Sequence, residues 1–206
     1  MGLASEVPVA GRHLFASLEQ MRNRGNGKGG GVALVGLDPN QFDTDSKTLS
    51  ETYLYAVAYL DTMVRAAVEE TSIHPNFHVD HVYEIPTLET WETDLEALDA
   101  RPPEVVCYFV RPRDEEVNRF ISDSLEVTID PTDREAVEQE FVFQNTHSLN
   151  VEFYAKEGRT DAFVLSHGRD ILILKIVGYA EDVIRYYCLE DITAHVWIGH
   201  HRYPTR

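Results

Sequence analysis

Three stretches of the chain gather residue types that could do chemistry. The first, "MRNRGNGKGGGVALVG" from Met21 to Gly36, places six glycines between a helix-like run and a strand-like run. A phosphate cradle needs a strand, then the glycine loop, then a helix whose N-terminal N–H groups face the anion. Here the helix comes first and Lys28 is followed by glycine, so the phosphate reading fails on context. A connecting turn and a different active-site scaffold both stay open. The second stretch, "HPNFHVDH", holds His74, His78 and His81 within eight residues. Three imidazoles could bind Zn²⁺ or Ni²⁺. The odd spacing, however, sends His78 and His81 to opposite faces of an expected strand. With no cysteine or carboxylate spacing to complete the set, no metal is expected. The third stretch, "WIGHHRYPTR", runs from a strand into polar groups. Arg202 could bind a carboxylate bidentately and Thr205 could donate a hydroxyl hydrogen bond, although the same residues suit an ordinary charged, frayed terminus.

Leu14, Phe15, Leu18 and Met21 fall on one face of a helix, and "GVALVGL" reads as a buried strand. "TYLYAVAYL" is a strand, "DTMVRAAVEET" a short helix with Asp61 as N-cap, and "FHVDHVYEI" a strand. An acidic linker leads to "EVVCYFV" as a strand, "RDEEVNRFI" as a helix and "LEVTI" as a strand. This β-α-β, linker, β-α-β order is a ferredoxin-like signature. It places an α+β insert at 43–156 between the two parts of a core, 1–42 and 157–206. "VEQEFVFQNTHSLNVEFYAKEG" adds one or two further strands. "AFVLSHGRDILILKIVG" reads as two strands joined by a tight turn, "AEDVIRYYC" as a helix, and "AHVWIGHH" as a strand.

The chain has 206 residues and a net charge of −17, and 43% of its residues are hydrophobic. Such an acidic balance argues against nucleic acid or an anionic membrane as the main partner, because both are bound through clustered Lys and Arg. No apolar run approaches the ~20 residues that span a bilayer, and the first twenty residues lack a signal-peptide pattern. The expected location is the cytoplasm. Cys107 and Cys188 both sit in apolar sequence, which predicts two buried, unreactive thiols.

"MGLAS", "MRNRGNGKGGGVALVG", "AFVLSHGRDILILKIVGYAEDVIRYY" and "VWIGHHRYPT" together resemble the class-II glutamine amidotransferases. The nearest branch is the glutamate-synthase-type amidotransferase domain of archaea and some bacteria. The resemblance covers about the first 37 and last 45 residues, and the insert in outline. It implies an α+β, N-terminal-nucleophile (Ntn) hydrolase-like αββα sandwich, present in part. In that family an N-terminal cysteine attacks the glutamine side-chain amide with its own α-amine as base. Ammonia then passes through a channel to a synthase. The resemblance therefore implies glutamine or glutamate as ligand, no cofactor, and other protein chains as partners: the remainder of the amidotransferase and a synthase subunit. It puts Met1 and Gly2 at the nucleophile position and assigns Arg24, Gly25, Asn26, Gly27, Arg202, Tyr203 and Thr205 to substrate binding. Two departures stand out. Met1 occupies the place of the cysteine, and the family's later Asn-Gly oxyanion pair and amine-binding acid have no counterpart here. The alternative expectation is a catalytically inactive Ntn-fold subunit that stabilises a larger complex. A free-standing ferredoxin-like regulatory module accounts for the insert but not for the ends.

Overall fold

In a computed structural model, which describes residues 1–95, 98–123 and 129–202, the chain is an α+β fold built on two four-stranded antiparallel sheets. The elements run β1 (Gly2–Ala10), α1 (Gly11–Glu19), β2 (Gly30–Leu37), α2 (Ser46–Glu51), β3 (Tyr53–Tyr59), α3 (Arg65–Val68), β4 (Phe77–Glu84) and α4 (Trp91–Asp94). There follow β5 (Glu104–Pro112), α5 (Asp114–Asp123), α6 (Arg134–Asn150), β6 (Ala162–Gly168), β7 (Ile171–Ile176), α7 (Ala180–Tyr186) and β8 (Thr193–His201). The first sheet has the order β1-β8-β2-β7 and the second β4-β5-β3-β6.

Alternation along the strands sorts the core into two clusters. In β3, every residue is buried. Leu54, Ala56 and Ala58 share a cluster with Leu34 and Leu174 of the first sheet, Leu14 and Leu18 of α1, and Val183 and Ile184 of α7. Tyr53, Tyr55, Val57 and Tyr59 point the other way, into a cluster with Val68 of α3, Val117 of α5 and Phe141 of α6. A strand buried on both faces reads as a continuous apolar run, as β3 does. The inner face of the first sheet carries Val32, Leu34, Leu172, Leu174 and Trp197. α1 and α7 pack against this sheet and each other.

Three expectations are corrected. The run expected to add strands after residue 136 is instead the helix α6, continued by a π turn over Val151–Ala155. Its buried residues, Val137, Phe141, Val142, Thr146 and Leu149, recur at helical spacing. The Asp133 carboxylate accepts from Ala136 N–H at 3.1 Å, which fixes its start. The many aromatic and β-branched residues mimic strand composition, but the spacing of the buried face decides. Second, "AFVLSHGRDILILKIVG" does form two strands joined by a tight turn, β6 and β7, but the turn does not make a hairpin: β6 pairs with β3 and β7 with β2, so it passes from one sheet to the other. Third, Cys188 is exposed, whereas Cys107 is buried. α7 ends at Tyr186, and Cys188 turns out in the left-handed region at φ 53°.

Asp61 accepts from Met63 N–H at 2.9 Å, but the helix that it opens is short, a 3₁₀ turn leading into α3 and a π turn. Sheet β4-β5-β3-β6 draws three strands from the 43–156 segment and its fourth, β6, from beyond it. Most of the expected "LEVTI" strand, Leu125 to Thr128, lies outside the described residues.

Candidate active site

The two ends of the chain meet at the open end of the first sheet. Met1 extends β1 beside β8: its amine donates to Gly199 O at 2.9 Å, and Gly199 N–H donates to Met1 O at 2.8 Å. Gly2 follows, paired with Ile198. Between α1 and β2 the Arg-Gly loop folds across the end of β8. Asn26 N–H donates to Arg202 O at 3.3 Å, and Arg202 N–H donates to Gly29 O at 2.8 Å. The Asn26 side chain turns back on the loop and accepts from Lys28 N–H at 3.1 Å. The loop therefore docks on β8 through backbone hydrogen bonds, while its Asn26 side chain is engaged within the loop.

Two of its glycines are sterically required. Gly27 has φ +68°, and a Cβ there would lie 3.0 Å from the Tyr179 ring. A Cβ on Gly30 would fall 2.4 Å from Ala180 N. The glycine cluster thus lets the loop press against the start of α7.

Beneath the loop is a buried polar cluster. Glu181 (1% exposed), Asp182 (4%) and His201 (7%) all lie in the interior. Arg22 reaches Glu181 with Nη1–Oε1 2.9 Å, and its guanidinium lies 4.1 Å from the centroid of the Tyr179 ring. His201 Nδ1 accepts from Ala180 N–H at 3.2 Å, so the neutral ring carries its proton on Nε2. That nitrogen stands 3.4 Å from Glu181 Oε2 and 3.4 Å from Leu18 O. Burial raises the Asp182 carboxyl above its ordinary range, opposed by the Tyr179 N–H and by Arg22. The cluster ties the Arg-Gly loop, α7 and β8 together.

Above it, a cavity of about 110 Å³ is lined by Met1, Met21, Arg24, Gly199, His200 and His201. On the other side of His200 runs a groove of about 380 Å³ over Gly29–Gly31, flanked by Ile173, Lys175, Ile198 and Arg202. Met1 and Arg24 therefore share one cavity, while the Arg202 side chain lines the neighbouring groove. His200 belongs to both. Tyr203 and Thr205 lie outside the described residues. Sequence reasoning did not single out Arg22, Tyr179, Glu181 or His201 as partners. The one signal for Glu181 is a pair of adjacent acids in "YAEDVIRYY", a run that is mostly apolar.

The other candidates are occupied locally. His81 Nε2 stands 2.8 Å from Phe42 O, and Asp80 holds Arg111 through contacts of 2.6 and 2.8 Å. Among the described residues no group of three or more His, Cys, Asp or Glu side chains is arranged to hold a metal, and no helix is long and apolar enough to cross a membrane. The Cys107 thiol is pushed far up by burial. Burial and the nearby Glu190 also raise Cys188, so neither is an activated nucleophile.

No protein-family model matches the chain. It is similar to an uncharacterized protein of Archaeoglobus fulgidus, with 28% identity over 212 residues. The match takes in 99% of this chain but 47% of the relative, so the chain spans about half the length of the protein it resembles.

Proposed function

We propose that this chain is part of a class-II, Ntn-type glutamine amidotransferase, with the cavity at Met1 as its glutamine or glutamate site. The observation that carries the reading is the convergence of three distant segments at one point: the Met1 amine, the Arg24–Gly27 loop, and the His200–Arg202 end of β8. On this reading Arg24, inside the cavity, is the cation for the α-carboxylate, whereas the Arg202 side chain lines the neighbouring groove. The β1-β8-β2-β7 sheet with α1 and α7 on one face suits one α-β half of an αββα sandwich.

The chemistry available at position 1 limits the role. In an Ntn amidotransferase one residue supplies both the thiolate and the amine base. Met1 supplies the amine, but its thioether has no ionisable proton. On this reading the chain binds the amino acid, and glutamine hydrolysis does not proceed on it as the sequence stands. A synthase subunit would be the consumer of ammonia in an active assembly. The Met1 thioether favours a second reading, an inactive Ntn-fold structural or regulatory subunit.

A titration of the ¹⁵N-labelled protein with L-glutamine separates the two. The amidotransferase-type site predicts shifts centred on the amides of Arg24, Gly25 and Gly199, at least tenfold weaker binding in Arg24→Ala, and no release of glutamate. If L-glutamine leaves those amides unmoved, the ligand-binding reading fails and the structural one stands.

A further inference from the structure

Among the described residues, two buried side-chain polar atoms lack a hydrogen-bond partner: Glu181 Oε2, in the cluster beneath the Arg-Gly loop, and the hydroxyl of Tyr53. A buried hydroxyl left unpaired costs free energy, and folded proteins keep few of them. Tyr53 opens β3 on the second sheet and is 3% exposed. The register of β3 with β6 sets Tyr55 opposite His167 and Leu54 opposite Gly168, with Arg169 next in the turn. Together with the first half of α6 these residues form a cavity of about 390 Å³, lined by Tyr53, Glu135, Gln139, His167, Gly168 and Arg169. Small-molecule sites span roughly 300–1,000 Å³. The charges in the cavity are incompletely matched. The Arg169 guanidinium lies 4.8 Å from the centroid of the Tyr53 ring. Its carboxylate neighbour, Glu138, stands 3.6 Å away and is already held by Arg134 at 2.7 Å. Glu135 accepts from Gln139 Nε2 at 3.3 Å, and among the described residues no cation pairs with it. Burial raises the Tyr53 phenol above its ordinary value, so its hydroxyl remains a donor, and burial lowers His167, so its ring adds no charge near neutral pH.

We propose that this cavity binds a small zwitterion, an α-amino acid, with its carboxylate on Arg169 and the Tyr53 hydroxyl and its ammonium on Glu135. A guanidinium and an O–H are the donors that a carboxylate takes up most strongly. A bare anion such as phosphate would meet the same donors but would also face Glu135 and Glu138 with nothing to offset them. A simple amine would leave the Tyr53 hydroxyl unpaired. A ligand with both charges answers the cation, the idle donor and the unpaired carboxylate at once. The site shares no lining residue with the Met1 cavity, so the inference is independent of whether that cavity binds glutamine.

L-alanine carries the two recognised groups and little else, so it is the probe. Titrated into the ¹⁵N-labelled full chain, it should shift the amides of Gln139, Gly168 and Arg169, and acetate, phosphate and ethylamine should bind there at least tenfold more weakly. Arg169→Gln, in an exposed turn, should weaken binding at least tenfold. Tyr53→Phe separates a ligand contact from a structural one. It removes an atom that is unpaired in the free protein, so it should weaken binding at least fivefold without lowering the melting temperature. The proposal is overturned if L-alanine leaves those three amides unmoved, or if acetate or phosphate binds as tightly as L-alanine. Undiminished binding in Tyr53→Phe or Arg169→Gln overturns it too, and so does a lowered melting temperature for Tyr53→Phe, which would mean that the hydroxyl already has a partner. Shifts at Arg24, Gly25 and Gly199 report the Met1 cavity separately, so a failure there leaves this site standing.

Discussion

Arg22 and Glu181 are 159 positions apart in the chain and 2.9 Å apart in the structure. The contact compensates a carboxylate that is 1% exposed, and it fastens the Arg-Gly loop to α7 directly below the cavity at Met1. A buried carboxylate deprived of its cation costs more than the pair contributes when intact.

Arg22→Met should therefore lower stability by about 1–3 kcal/mol, the range for a buried polar group left unsatisfied. Glu181→Gln in the Arg22→Met background should restore part of that loss. Urea denaturation of the two single variants and the double variant measures the coupling, and additive effects would show that the two side chains act separately.

Gly30→Ala should destabilise by roughly 1–3 kcal/mol, as overpacking does, because its Cβ would meet Ala180 N at 2.4 Å. Gly29→Ala is the matched comparison: its nearest neighbour would be Arg202 Cβ at 3.5 Å, an ordinary contact. Equal melting temperatures for the two variants would contradict the packing of the loop on α7.

His167 lies in β6 with Nδ1 3.0 Å from the Thr146 hydroxyl, and burial lowers its pKa from 6.5. The folded state thus disfavours the imidazolium that the unfolded chain accepts. Its contribution is present above about pH 6.5 and is lost as the pH falls toward the depressed folded value. The stability difference between the native protein and His167→Gln should shrink between pH 7.5 and pH 5.5, measured by thermal melts across that window. A widening difference would reverse the sign.

Ellman's reagent should modify one thiol in the native protein, Cys188, and slowly, since its raised pKa leaves little thiolate. The second, Cys107, should react only after denaturation. Cys188→Ser removes the native reaction. Two fast native thiols would mean that β5 is not in the core.

Local pattern was enough for the elements whose periodicity and punctuation agree. Leu14 and Leu18 mark one face of α1, the glycines separate it from β2, and the unbroken apolar run of β3 announces a strand buried on both sides. It also brought the glycine loop and the "GHHR" strand end forward as residues capable of chemistry, because both break the apolar pattern with donors and small residues. Local pattern failed where composition and spacing disagree. α6 has strand-like residues at helical spacing, and its identity was fixed by what its buried stripe packs against. It failed again where partners are distant. Nothing near β6 and β7 states that a two-residue turn carries the chain between two sheets. Nothing near Arg22 or His201 states that Glu181 is the carboxylate they face. The pairing of β8 with both β1 and β2 brings Met1 beside the end of β8. That residue 1, Arg24 and the end of β8 line one cavity is visible only in the folded chain, because hydrogen bonds across 198 residues leave no local trace in the sequence.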